Sequence, residues 1–166
     1  MKKIIILSDT HKNQELIQKV FANEQDFTHV IHLGDVYEDL NNNSNINIKV
    51  KLHRVPGIFH PGYKEGTVPA ILKIDIDNWR FVLAHRIEDL LKIKNTSDIY
   101  LYGHTHHWSY ECIDNKYFIN PGHLKAKEDR GRKASYVVMF IDKEIIDIQF
   151  KYIDGKIFKQ KKIKKM

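Results

Sequence analysis

The first part of the chain contains an apolar run, an amphipathic segment and a second apolar run, and this order restricts the fold. Residues 4–7 form a continuous, largely β-branched run, which is typical of a strand covered on both faces. Residues 13–23 place Leu16, Ile17, Val20 and Phe21 on one stripe of a helix that begins at an asparagine. Residues 28–33 are the second apolar run. A strand, a helix and a strand in this order predict two parallel strands joined by a crossover helix.

The rest of the chain predicts mainly short strands. In its middle we expect strands at 48–55, 70–76, 80–84 and 99–102, a proline- and glycine-rich loop at 56–69 and a short helix at 87–93. After Gly103 we expect an antiparallel meander with strands at 108–113, 117–119, 134–141, 145–152 and 156–161. These patterns predict an α/β sandwich of two mixed sheets, in one domain that spans residues 1–166.

Composition excludes several classes of protein. The single cysteine, Cys112, cannot form an intramolecular disulfide, and no paired-cysteine metal site can be built. No apolar run approaches the length of a membrane span, so we expect a cytoplasmic protein with no membrane association.

The formal net charge of +6 comes largely from the C-terminus, where the last eleven residues contain six lysines. A basic tail can hold phosphate backbones electrostatically, which keeps nucleic acid open as a partner. The simpler interpretation, which we favour, is a flexible and solvated terminus at about residues 156–166.

Six side chains with metal-binding chemistry follow predicted strands. They are two aspartates and four histidines: Asp9, His11, Asp35, His85, His104 and His106. Because sites in open α/β folds form at the carboxyl ends of strands, we expect these side chains to converge. Imidazole suits zinc, iron or nickel, carboxylate admits manganese, and one carboxylate can bridge two ions. A pair of such ions activates water and clamps a phosphate, so the pattern predicts phosphoester hydrolysis.

The motifs around these residues resemble those of the calcineurin-like metallophosphoesterases, especially their small single-domain prokaryotic members. The matching segments are Leu7-Ser8-Asp9-Thr10-His11, His32-Leu33-Gly34-Asp35, Ala84-His85, Tyr102-Gly103-His104-Thr105-His106 and Ile119-Asn120-Pro121-Gly122. The resemblance implies the family's four-layer α/β/β/α sandwich, with the strands after Gly122 in its second sheet.

The resemblance also implies a role for each matched ligand and a mechanism. Asp9, His11 and His106 would hold one metal ion, Asp35 would bridge, and His85 and His104 would hold the second ion. The implied activity is hydrolysis of phosphodiesters or phosphomonoesters by a metal-bridging hydroxide, with two divalent ions per chain. Manganese is the favoured metal, and zinc, iron and nickel are alternatives.

The chain departs from the family at one motif. The family has Gly-Asn-His or Gly-Asn-Cys after its third long strand, and the asparagine supplies an oxygen to the second metal. Here Gly57 is followed by Ile58 and Phe59, which can neither ligate a metal nor donate a proton. His60 is the nearest replacement, either as a ligand to the second metal or as the general acid. The alternative is that His60 is an ordinary loop histidine.

Other residues near the motifs have supporting or surface roles in this interpretation. Asn120 is expected to orient a ligand imidazole, and His32 is expected to lie just outside the ligands. We expect His107 to face away from the metals and His123 to lie at the surface. The basic segment 130–133 is expected to be a solvated turn.

The sequence therefore favours an enzyme that acts on a small phosphate ester, and a phosphodiester in particular. Two alternatives remain: a non-catalytic interaction module, because a retromer subunit of the family has that role, and a nuclease aided by the lysine tail. Homo-oligomer formation stays open.

Overall fold

The computed structural model describes residues 1–94 and 97–165, which form two mixed sheets and a few helices. In the first sheet, β1 (Lys2–Leu7) pairs in parallel with β2 (His29–His32), and β2 pairs in parallel with β3 (Lys51–Arg54). Helix α1 (Gln14–Asn23) connects β1 to β2, and the Asn13 side chain caps it by accepting a hydrogen bond from the Leu16 amide. The predicted parallel pair with its crossover helix is confirmed.

The segment between the two sheets contains a short helix that was not expected. Helix α2 (Pro61–Glu65) lies inside the segment 56–69, which the sequence analysis predicted as a loop. It has proline in its first turn, and the His60 side chain accepts a hydrogen bond from the Gly62 amide at its start. The proline pattern indicated a break from the preceding strand, but proline is also compatible with a first helical turn.

The second sheet has the strand order β4-β5-β6-β8-β7. Its strands are β4 (Ile71–Ile76), β5 (Trp79–Ala84), β6 (Ile99–Leu101), β7 (Ser109–Ile113) and β8 (Lys116–Asn120). Strands β5, β6 and β8 run parallel, and helix α3 (Ile87–Leu91) lies between β5 and β6 in the chain. The predicted turn between β4 and β5 is confirmed by their antiparallel pairing.

The expected meander after Gly103 is divided between the two sheets. Strands β7 and β8 form a hairpin in the second sheet, and a two-stranded ribbon of β9 (Glu128–Asp129) and β10 (Arg132–Lys133) follows. Strands β11 (Ser135–Ile141), β12 (Ile145–Tyr152) and β13 (Ile157–Lys164) then extend the first sheet, because β11 pairs with β1. The expectation that these later strands belong to the second sheet is therefore wrong. Long-range pairing with β1 decides their position, and local periodicity carries no sign of it.

Most of the lysine-rich segment forms the edge strand β13, in place of the solvated terminus that the sequence favoured, and its flexibility stays a prediction. Strand β13 pairs antiparallel with β12, and its Ile163 is 5% exposed. Phe158 packs against Trp108 and Phe150. The lysines of this strand are exposed, unlike these two anchors, and charged residues on an edge strand oppose pairing with another chain.

Two apolar layers enclose the first sheet. One face of β1 contributes Ile4 and Ile6 to a cluster shared with Phe81 and Leu83 of the second sheet. The other face contributes residues to a cluster with α1, and α3 packs on the outer face of the second sheet. The order helix, sheet, sheet, helix is the predicted α/β/β/α sandwich. No helix in the described ranges has the length and apolarity required to span a bilayer.

Candidate metal centre

The predicted ligands lie on loops that follow four strands of the two sheets. Asp9 and His11 follow β1, Asp35 follows β2, His85 follows β5, and the segment 104–106 follows β6. Five of the six occupy the left-handed region of backbone conformation, with φ of 53° at Asp9, 45° at His11, 40° at Asp35, 71° at His104 and 59° at His106. Non-glycine residues adopt this region at a cost, and such residues cluster at functional sites.

Four of the side chains converge on one point. Asp9, His11, Asp35 and His106 each offer a ligand atom, and these atoms all lie within 4.8 Å of one another. His11 Nε2 is 3.2 Å from His106 Nε2 and 3.0 Å from Asp35 Oδ2, and His106 Nε2 is 3.3 Å from Asp9 Oδ1. Two carboxylates and two imidazoles in this arrangement form a donor set suited to a divalent transition metal.

The remaining two histidines lie beside this group. His85 Nε2 is 3.5 Å from Asp35 Oδ1 and 3.9 Å from Asp9 Oδ1, and His104 Nδ1 is 3.3 Å from His85 Nε2. The two oxygens of Asp35 therefore face different histidines: Oδ2 faces His11 and Oδ1 faces His85. A carboxylate in this position can contact two ions at once.

The environment of Asp9 fits a bound cation. Its Oδ2 accepts hydrogen bonds from the Ser8 hydroxyl and the His104 amide, whereas its Oδ1 is buried without a hydrogen-bond partner. An unpaired buried carboxylate oxygen is costly, and a metal ion at this point would satisfy it. The loop after β1 and the loop after β6 approach each other closely at this point, since a Cβ at Gly103 would lie 2.0 Å from Ser8 Oγ.

Two imidazoles are oriented through their second nitrogen. His85 Nδ1–H donates to the Leu33 carbonyl at 2.7 Å, and His106 Nδ1–H donates to the Asp129 carboxylate at 2.8 Å. Both hydrogen bonds leave Nε2 as the nitrogen that faces the site, as is common for metal-bound histidines. Asp129 was missed in the sequence analysis, which treated this segment only as a basic turn. It lies 23 residues after His106, on β9, and no local pattern connects the two residues.

The charges of the site favour ionised carboxylates. Burial raises the pKa of Asp9, but the nearby His106, His85 and Ser8 outweigh it, so the pKa lies below its usual value. The hydrogen bond from His106 lowers the pKa of Asp129 to about 2. Conversely, the Asp9 carboxylate beside it raises the pKa of His106. At neutral pH the carboxylates are therefore ready to bind a cation.

Comparison with known proteins decides the family. The model of the calcineurin-like phosphoesterase superfamily domain matches residues 1–144. The chain belongs to this superfamily.

A curated relative and two solved structures share this fold. A phosphodiesterase of Methanocaldococcus jannaschii is 29% identical in a 140-residue alignment that covers 72% of this chain and 82% of that protein. A predicted phosphoesterase of Streptococcus pneumoniae has a TM-score of 0.74 at 21% identity, covering 99% of this chain and 98% of that one. Vacuolar Protein Sorting 29 of Cryptosporidium parvum has a TM-score of 0.74 at 18% identity, with the same two coverages.

His60, the nearest candidate to replace the superfamily's asparagine, lies outside the converging ligand atoms in this structure. The two nitrogens of His60 are both engaged: Nε2 lies 2.8 Å from Glu38 Oε1, and Nδ1 accepts a hydrogen bond from the Gly62 amide. His60 is outside the converging group of ligand atoms, although it lines a cavity together with His11 and Asp35. A role as replacement ligand would require these contacts to rearrange, and it stays a prediction. A role as general acid stays a prediction.

Asn120 and His32 support loops and do not contact the ligand imidazoles. The Asn120 side-chain amide donates to the Gly103 carbonyl and the Thr105 hydroxyl, so the expectation that it orients an imidazole is corrected. It holds the backbone that carries the two histidines of the 104–106 segment. His32 is fully buried, and its Nε2 is 3.1 Å from the hydroxyl of Thr10. Thr10 lies between Asp9 and His11 in the sequence. Burial lowers the pKa of His32 to about 3, so it is neutral.

His123 was expected at the surface and is buried instead. Its Nε2–H donates to the Arg132 carbonyl at 2.9 Å, and its ring lies 5.5 Å from that of His106. His123 thus packs behind a ligand and holds the β9–β10 ribbon close to it. Arg132 donates to the Thr105 carbonyl, so this part of the basic segment is not a freely solvated turn. His107 is exposed, in line with the expectation that it faces away.

Proposed function

We propose that the protein hydrolyses phosphate esters, with a phosphodiester as the preferred substrate, by means of two divalent cations. The convergence of Asp9, His11, Asp35 and His106 within 4.8 Å supports this proposal most directly. Family membership and the phosphodiesterase relative point the same way. We expect manganese, with zinc, iron or nickel as alternatives, because the donors mix imidazole and carboxylate.

In this proposal the protein supplies the ligands and orients them. Asp9, His11 and His106 would hold one cation, His85 and His104 would hold the other, and Asp35 would contribute a carboxylate oxygen to each. When bound, the cations act as Lewis acids that lower the pKa of water and neutralise charge on the phosphate. The hydrogen bonds from His85 to Leu33 and from His106 to Asp129 keep the imidazoles in place. No serine or cysteine nucleophile is required.

A second candidate is a non-catalytic interaction module. The presence of Ile58 and Phe59 at the family's asparagine motif favours it, since that motif supplies an oxygen to the second metal. The likeness to Vacuolar Protein Sorting 29 is consistent with it at the level of the fold. Against it, the side chains expected of the other ligands are all present and grouped.

Metal content and turnover of the purified full chain separate these candidates. After chelation and reloading with manganese, zinc, iron or nickel, the enzyme should bind two ions per chain and hydrolyse bis(p-nitrophenyl) phosphate faster than p-nitrophenyl phosphate. A chain that binds no ion, or binds ions without turnover of either ester under any metal, contradicts the enzyme and supports the module. Faster turnover of the monoester corrects only the substrate class.

A further inference from the structure

A cavity of about 340 Å³ adjoins the metal centre and includes residues that no proposed step uses. His11 and Asp35 form part of its lining, and the rest comes from two loops: Val36, Glu38, Gly57, Phe59, His60 and Pro61. A group attached to a phosphate at the metal centre would therefore have this space next to it. Its size and its apolar lining are those of a small-molecule subsite.

Phe59 is the unusual member of this lining. Its side chain is 78% exposed, although a phenyl ring carries one of the largest apolar surfaces of any residue. An exposed aromatic ring next to a polar site is a feature of ligand recognition. When a planar group stacks on the ring, the facing apolar surfaces of the ring and of the ligand are both removed from water. The ring stands where the superfamily has a polar residue, so the departure from the family motif falls inside this cavity.

The part of the cavity wall next to Phe59 is formed by His60, whose ring is held by several contacts. The His60 ring is fixed by the Gly62 amide at Nδ1, by Glu38 at Nε2 and by the Tyr37 ring, whose centroid is 5.3 Å away. These contacts remove rotational freedom before any ligand binds, and such preorganisation lowers the cost of binding.

Glu38 gives the cavity a charge preference. Its Oε1 is paired with His60, and its side chain is 54% exposed, so the carboxylate can still accept hydrogen bonds from a ligand. A carboxylate at the cavity wall repels a second phosphate or carboxylate on the substrate and tolerates a neutral group that carries donors.

We propose that this cavity receives the organic group of the substrate, and that the substrate class is phosphate esters with a neutral planar group, of the aryl or nucleoside type. This rests on the proposed function, because the metal centre is taken to hold the phosphoryl group. Phe59 stacks on the planar group, and Glu38 disfavours substrates that carry a second anionic group.

Binding of two phosphonates to the manganese-loaded full chain tests this without turnover. By calorimetry, phenylphosphonate should bind about five- to tenfold more tightly than methylphosphonate, the size of one aromatic contact. Phe59→Ala should abolish this preference and leave methylphosphonate binding unchanged, while Phe59→Tyr should keep it. Ile48→Ala removes a still more exposed apolar side chain outside the cavity lining and should change the binding of neither phosphonate.

A second substitution tests the charge preference of the cavity. 3-Phosphonopropionate carries a carboxylate on its organic arm, and Glu38→Gln should tighten its binding about two- to fivefold while leaving phenylphosphonate unchanged. Equal binding of the phenyl and methyl compounds, or a preference that survives Phe59→Ala, overturns the inference while methylphosphonate binding still supports the metal centre. Failure of every phosphonate to bind the metal-loaded chain overturns the metal centre and this inference together.

Discussion

The two halves of the candidate metal centre differ in how fully the protein supports them. The first half, defined by Asp9, His11 and His106, consists of converging ligand atoms, and the His106 imidazole is held by the Asp129 carboxylate. The second half is defined by His85 and His104, whose ligand atoms lie outside this converging group, although the Leu33 carbonyl holds the His85 imidazole.

The second half is also the place where the chain departs from its superfamily. Ile58 stands at the position of the asparagine ligand, and the preceding Gly57 packs so closely on Asp35 that a Cβ there would lie 2.5 Å from Asp35 Oδ1. If the proposed two-ion centre is correct, the family motif is lost on the side of His85 and His104, while the donors proposed for the other side are all present and converge. We therefore expect the first half to bind its ion more tightly than the second.

The largest effect is expected at Asp35, which faces both halves. Asp35→Asn removes the charge shared by the two ions, so turnover of bis(p-nitrophenyl) phosphate should fall by at least about 10²–10³-fold, the scale of losing a major electrostatic contribution. The far-ultraviolet circular dichroism should match that of the unchanged chain, because Asp35 is partly exposed and contributes little to the core. Full residual activity would rule out the proposed mechanism.

Removing one histidine from each half compares them directly. His106→Ala should abolish the tighter of the two manganese-binding events in a calorimetric titration, and His104→Ala should abolish the weaker one. Each loss should exceed the 10–100-fold change in affinity that is typical for an outer partner of a ligand. The opposite assignment, with the tighter event lost in His104→Ala, would reverse the proposed order of the halves.

Asp129 tests whether support from outside the ligand set explains the difference. Asp129→Asn keeps the shape of the side chain but weakens the hydrogen bond that orients His106, so manganese affinity of the first half should fall about 10–100-fold. The second binding event should change less. Glu128→Gln, on the neighbouring exposed residue of β9, is the matched control and should leave both events unchanged. Equal effects of the two variants would show that only surface charge matters.

The smallest effect is expected at His60. His60→Ala should leave manganese stoichiometry unchanged, because both ring nitrogens are engaged elsewhere. It removes the side-chain cap of α2, so thermal or urea unfolding should show a loss of about 0.5–1 kcal/mol in the free energy of unfolding. Loss of one ion in this variant would instead restore His60 as the replacement ligand of the second half.

Local sequence determined a large part of the fold near the N-terminus, up to Asp35. The apolar run of β1, the stripe of α1 and the strand before Asp35 each have a local sequence pattern, and each was predicted within a few residues of its observed bounds. The six candidate ligands could be selected for a related reason. Each follows a strand, and the geometry of an α/β sheet gathers the residues that follow its parallel strands at one edge.

Tertiary structure alone decided the features that depend on distant pairing. The assignment of β11–β13 to the first sheet follows from the pairing of β11 with β1, which joins opposite ends of the chain. The role of Asp129, the burial of His123 and the engagement of His60 by Glu38 each depend on which loops meet in space. The sequence by itself therefore determined the chemistry of the ligands and the strands that carry them. Only the folded chain decided how each half of the centre is supported, because hydrogen bonds across loops leave no periodic pattern in sequence.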